Sequence, residues 1–231
     1  MSLGLIISRY SEDISWLEKF PDFKITIYNK GKELSNSKFY KIVNLPNVGR
    51  ESHTWIYHIV KNYNNLEDVT IFFQGRIDDL GCMVYSNPKK YIQKVKKYGF
   101  APSRYGMLGP YHWDWNVGIK DNPKYKDAWE RNKISKSKLG FREFSKKLFP
   151  EIPIFVATSY GGCFAITKET IKKYDLKFYQ NLLNLLKKSK NPIEGHYMER
   201  LWCYMFTKNQ PFFDSIIDVI YTKIERLNLK N

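Results

Sequence analysis

The sequence predicts an α/β fold: one Rossmann-like domain with a mostly parallel central sheet flanked by helices, and a small helical part at its C-terminal end. Three observations predict it. Across residues 1–100, strand-like runs and helical patterns follow in the order β-α-β-loop-α-β-α, which argues for parallel strands joined by crossovers. Val69-Thr70-Ile71-Phe72-Phe73 is β-branched and aromatic without alternation, as suits a central strand covered on both faces. Just before it, Trp55, Ile56, Ile59, Val60 and Tyr63 recur at helical spacing and form one apolar stripe.

Taken in order, Leu3 to Tyr10 reads as the first strand. Ser11 with Glu12 and Asp13 then caps a short helix through Trp16, Leu17 and Phe20, which Pro21 ends. Phe23 to Tyr28 alternates as a second strand, Asn29-Lys30-Gly31-Lys32 turns, and residues 33–46 look irregular. The loop Asn47-Glu51 enters the striped helix, and Gln74-Asp79 leaves the apolar strand. Asn87-Pro88 opens a helix to Tyr98. From Gly99 to Glu151 the pattern loosens into an aromatic, Gly- and Pro-rich loop around Trp113-Asp114-Trp115, with short helices at 124–132 and 138–149. Ile152-Ala157 and Gly161-Ile166 read as two strands, and Thr167 starts a helix containing Ile171. A leucine-rich helix runs from Phe178 to Lys187. Asn191-Pro192-Ile193-Glu194 is a helix start, with Asn as cap, Pro at the first position and an acid three residues on. A terminal helix is expected from Ser215.

The chain of 231 residues is long enough for a single domain spanning 1–231. Its net charge of +15 would suit nucleic acid, an anionic surface or a phosphorylated small molecule. The lysines are scattered, however, and no nucleic-acid motif accompanies them, so a solvated surface explains most of that charge. No apolar run approaches the roughly 18–20 residues of a membrane span. Leu3-Ile7 meets Ser8-Arg9 at once, without the basic start of a signal peptide. Cys82, Cys163 and Cys203 are widely spaced and form no CxxC, so neither a disulfide partner nor a zinc knuckle is expected, and a reducing, cytoplasmic home is.

In open α/β sheets ligands bind beyond the carboxyl ends of the strands. Arg9-Tyr10, Asn29-Lys30 and Gln74-Gly75-Arg76 occupy three such ends and offer cationic and amide groups suited to a nucleoside diphosphate. On the last helix His196, Glu199 and Arg200 share a face.

Six blocks carry a resemblance: Ser8-Asp13, Tyr28-Gly31, Asn47-Thr54, Phe73-Gly75, Gly161-Ala165 and Glu194-Trp202. In this order they resemble a domain-of-unknown-function family of fungi, bacteria and large DNA viruses, and the match runs over residues 4–206, nearly the whole chain. That family is similar in turn to nucleotide-sugar glycosyltransferases of the GT-A fold. The likeness implies a nucleotide-binding half at 1–100, an acceptor half at 101–210 and a C-terminal helix at 211–231. Ser8, Arg9 and Tyr10 would meet base and ribose, Asn29 and Lys30 the base, and Asn47, Arg50 and Glu51 the ribose-diphosphate. Such enzymes usually carry an Asp-x-Asp pair after the third strand to hold Mn²⁺ or Mg²⁺. This chain departs there, with Gln74 and Arg76 in the acid positions and Asp78 and Asp79 beyond. Either Asp78 or Asp79 holds a cation, with His196 as a third ligand, or Arg76 neutralises the diphosphate with no metal. No organic cofactor is expected beyond the sugar nucleotide.

Each candidate has an ordinary reading beside the functional one. Arg50 and Glu51 could be an exposed ion pair; His53 reads as a packed histidine and His58 as solvated. Glu194 reads better as a cap than as a catalyst. Glu199 has the place and neighbours of a general base toward an acceptor hydroxyl, with Asp114 as rival. Trp113 and Trp115 would stack on an acceptor sugar or be buried. Gly161 and Gly162 would let backbone approach the acceptor or form a tight bend. Cys163 reads as packing. The expectation is a UDP- or other nucleotide-sugar-dependent hexosyl- or pentosyltransferase acting on a glycan or other hydroxyl acceptor, in a host cytoplasm if viral. The alternatives are a non-catalytic carbohydrate-binding protein on the same scaffold and, third, nucleic-acid binding.

Overall fold

A computed structural model describes residues 1–35, 37–76, 88–103, 105–113, 127, 134–135, 137–159 and 161–207. The strands are β1 (Leu3–Arg9), β2 (Lys24–Asn29), β3 (Tyr40–Asn44), β4 (Val69–Gln74), β5 (Phe100–Pro102), β6 (Tyr105–Leu108), β7 (Val156–Ser159) and β8 (Phe164–Thr167). The helices are α1 (Arg50–Asn62), α2 (Pro88–Tyr98), α3 (Phe141–Leu148), α4 (Lys168–Ile171), α5 (Leu176–Leu186) and α6 (Ile193–Thr207), with 3₁₀ turns at Ser15–Lys19 and Pro110–Trp113. Six strands make the central sheet in the order β3-β2-β1-β4-β8-β5. β3, β2, β1 and β4 are mutually parallel, and β8 runs antiparallel to both β4 and β5. The mixed, mostly parallel α/β sheet expected from the sequence is therefore present.

Apolar burial explains the layering. In β4, Phe72 enters one core with Trp55, Ile56 and Ile59 of α1 and with α3, α5 and α6. Val69, Ile71 and Phe73 enter the opposite core with Leu17, Tyr91 and Val95. A strand buried on both faces has no reason to alternate polar with apolar. β1 behaves alike, Ile6 facing one core and Leu5 and Ile7 the other.

Several boundaries differ from expectation. The helix after Ser11 is only the 3₁₀ turn Ser15–Lys19, with no side-chain cap. Glu12 instead accepts the Tyr10 and Ser11 amides at 2.6 and 3.1 Å, and Asp13 accepts that of Ser15 at 2.9 Å. These local bonds compete with a helical first turn. β3 lies inside the stretch read as irregular, since a half-exposed edge strand of five residues shows little pattern. β5 and β6 lie in the loosened region and are three and four residues long, too short for periodicity to register. The strands expected at 152–157 and 161–166 fall at β7 and β8 and belong to different sheets, since β7 pairs with β6. Asn191 does not cap α6 with its side chain; its Oδ1 lies 3.0 Å from His196 Nε2. The helices expected at 124–132 and from Ser215 lie outside the described residues, apart from Asp127.

Candidate functional site

β1 leads outward to β2 on one side, while β4 pairs on the other, so the sheet changes direction between β1 and β4. Their carboxyl ends meet in register at Ser8 and Gln74. This is the place where open α/β sheets leave a crevice for ligands.

The head of α1 is built over this point. Gly49 has φ 63° and Arg50, a non-glycine residue, φ 51°. The left-handed region costs an ordinary side chain about 1–2 kcal/mol and persists only where surroundings enforce it. Lys30 does so: its buried ammonium donates to the carbonyl of Val48 at 2.7 Å and to that of Arg50. Burial pushes Lys30 down to about 8, opposed by the Glu51 carboxylate. Gly49 is required on steric grounds as well, because a Cβ there would meet Leu186 O at 2.4 Å and His53 Cβ at 2.5 Å.

The Arg50 guanidinium is fastened from two sides. Its Nε lies 3.5 Å from Glu51 Oε2, and its Nη1 lies 3.3 Å from Nδ1 and 3.1 Å from Nε2 of His196. Burial, followed by the charges of Arg50 and Arg200, holds His196 well below its ordinary value. A neutral ring that donates from Nε2 to Asn191 and accepts at Nδ1 from Arg50 satisfies all three groups. The Arg50 side chain stays 38 % exposed while Glu51 is only 11 % exposed, so the cation presents itself and its carboxylate stays behind.

Gly161 and Gly162, with φ 91° and 65°, bring the chain between β7 and β8 to the same place. A Cβ on Gly162 would stand 3.0 Å from Glu51 Cγ and 3.4 Å from Gln74 Nε2, a tight approach, and its φ of 65° would strain any other residue. The Gly161 amide donates to Glu199 Oε1 at 2.8 Å, and Trp55 Nε1 donates to Gly162 O at 2.9 Å. The structure thus brings together Ser8, Lys30, Arg50, Glu51, Gln74, Gly161, Gly162, His196 and Glu199.

Several candidates are bonded into the fold, and others are only placed by it. Arg9 is buried, donating to Asn29 Oδ1, Lys32 O and Glu12 O at 2.8, 2.8 and 3.0 Å, so it braces the loops after β1 and β2. Asn29 spends its amide on Lys32 O and Asn44. Ser8 Oγ pairs with Thr54 Oγ1 at 2.9 Å, and the Gly75 amide donates to Ser8 O at 2.9 Å. Tyr10 and Arg76 are exposed, and Asn47 is half-buried. Trp113 is buried, stacked on Phe141 and bonded to Ile154 O, which is its ordinary core reading. His53 packs on Tyr57 as expected, and burial with nearby Lys30 and Lys187 pushes it down to about 4. His58 corrects its expectation: it is not solvated but 3 % exposed, 3.1 Å from Tyr28 OH. Glu194 is buried with Lys188 at 3.9 Å. Cys203 is a free buried thiol, and Cys163 is buried and not a free thiol. Asp78, Asp79, Cys82, Asp114 and Trp115 lie outside the described residues.

A metal fits His196 poorly. Its ring nitrogens already face a guanidinium and an amide, and the Arg50 charge opposes a second cation. Among the described residues no group of three His, Cys, Asp or Glu converges as metal ligands would. Nor is any described helix long and apolar enough to cross a membrane.

Sequence reasoning missed Thr54, Trp55, Glu12 and Asn191 as supports. Trp55 was visible only as part of an apolar stripe, and no local signal joins it to a carbonyl 107 residues away.

Comparison with protein families matches residues 5–216 to the one described as "Protein of unknown function (DUF3431)". No curated protein matches the chain.

Proposed function

The chain belongs to the DUF3431 family, and we propose that this member is a glycosyltransferase that takes its sugar from a nucleoside-diphosphate sugar lying across the carboxyl ends of β1 and β4. One observation carries the reading: Arg50 is held in a strained backbone conformation with its guanidinium fixed at the crevice and exposed. Strain of this kind persists where surrounding structure sustains it, and a guanidinium forks well onto phosphate oxygens. Arg76, at the exit of β4, adds a second cation to the same edge.

In the proposed reaction the bond from the sugar's anomeric carbon to the diphosphate oxygen breaks, and the acceptor oxygen bonds to that carbon. The departing oxygen takes the electron pair, and Arg50 and Arg76 stabilise its charge without any metal-borne step. The acceptor's proton passes to Glu199, whose Oε2 carries no hydrogen bond among the described residues while Oε1 is held by Gly161. Displacement from the opposite face, with inversion, follows from one carboxylate acting as base; Asp114 is its rival. Gly161 and Gly162 hold the turn between β7 and β8 against Glu51, Gln74 and Glu199, on the side from which the acceptor would come.

Thermal shift with UDP and GDP, each with and without Mn²⁺, tests the donor site. Stabilisation by either nucleotide is expected, and no response to any nucleoside diphosphate would overturn the proposal. Binding with no transfer or donor hydrolysis would favour the non-catalytic carbohydrate-binding alternative, for which the Gln74 and Arg76 substitutions at the acid positions speak.

A further inference from the structure

A cavity of about 880 Å³ lies away from the strand ends, among α3, α5 and the start of α6. Its apolar wall is Leu139, Phe144, Leu148, Phe178, Leu185 and Pro192. That volume is in the range of sites that enclose small organic ligands, roughly 300–1,000 Å³. The polar part of the lining is uneven in charge: Lys138, Lys147 and Lys188 stand against the single carboxylate of Glu194. Glu194 is 5 % exposed and 3.9 Å from Lys188, so these two offset one another and Lys138 and Lys147 remain as exposed positive charge.

We propose that this cavity binds an amphipathic anion, a single apolar chain carrying one phosphate or carboxylate head. The chain lies against Leu139, Phe144, Leu148 and Phe178, and the head meets Lys138 and Lys147. A wholly apolar ligand would leave the two lysines without a counter-charge, and a small polar anion would leave the carbon-lined wall wet. The inference stands apart from the donor site, although the two share a wall: the Ser189 carbonyl accepts the Gly49 amide at 2.8 Å, at the head of α1.

Titration calorimetry of the full chain with decyl phosphate, decanoate, decanol and inorganic phosphate, all below micelle formation, tests it. Saturable binding of one decyl phosphate or decanoate per chain is expected, with decanol at least tenfold weaker and inorganic phosphate silent. Asn184→Trp at the exposed rim should abolish binding, and the exposed pair Lys138→Glu with Lys147→Glu should weaken it at least tenfold, with circular dichroism unchanged. Absence of binding, equal binding of decanol, equal binding of inorganic phosphate, or indifference to the lysine pair would each overturn the proposal. Since UDP is not among the ligands, failure here leaves the donor-site reading to its own experiment.

Discussion

At the amino ends of the parallel strands, Lys24 bonds Glu67 at 2.7 Å, and Asp68 accepts the Ser2 amide and stands 3.8 Å from the terminal amine. At the carboxyl ends of the same strands, Arg9, Lys30, Arg50 and Arg76 gather with Glu12 and Glu51. Both edges are charged. The amino edge pairs each charge locally and keeps Lys24 at 74 % exposure, so water screens it. The carboxyl edge buries Arg9 and Lys30 against backbone carbonyls and strains Arg50 to keep a cation forward. Ordinary solubility demands none of that. The difference teaches that charge count alone says little; the informative quantity is how much structure is committed to holding a charge in place.

The widest gap between the two edges should open with Arg50→Gly. Glycine accepts φ 51° without strain, so thermal stability should stay within about 1 kcal/mol of the parent. Nucleotide-induced stabilisation should vanish, and transfer, once an acceptor is found, should fall on the order of 100-fold or more. A parallel Glu67→Gln at the amino edge should leave the nucleotide response intact.

Lys30→Met comes next. It removes a donor from two carbonyls and should cost about 2–4 kcal/mol by denaturant titration, with a weaker nucleotide response because Arg50 is no longer pinned. Restored stability without restored nucleotide response in a compensating background would separate support from binding.

Acidification sharpens the contrast further. His53 and His58 are each held down to about 4 in the fold, chiefly by burial, against an ordinary value of 6.5. Between those values the unfolded chain binds the extra protons. Their contribution to stability is therefore complete above pH 6.5 and is lost as pH falls towards 4, by a few kcal/mol in total. Thermal melts from pH 7 to pH 4.5 should fall steeply, and His58→Gln should flatten the slope. The smallest effect is expected from Lys24→Ala, whose exposed ion pair should be worth less than about 1 kcal/mol in the same melts.

Much of the scaffold was legible because it rests on local signals. The unalternating Val69-Phe73 run, the stripe from Trp55 to Val60 and the Pro192 helix start each declare an element within a dozen residues, and each element is present. Short edge strands such as β3 and β5 gave no such signal, since pairing rather than periodicity makes them strands. The site was legible only in part. Arg50, Glu51, Gln74, Gly161, Gly162 and Glu199 could be named as candidates, and they do gather. Arg9, Asn29 and Trp113 could be named too, but their bonding within the fold was invisible.

By itself, then, the sequence determined the longer strands and helices and that the strands would run mostly parallel, because hydrophobic periodicity acts over a few residues. Only the tertiary structure decided which polar groups are consumed by the fold and which are left facing the crevice. That choice depends on partners more than 100 positions apart, as with Arg50 and His196, and burial, hydrogen bonds and neighbouring charges together set its energy.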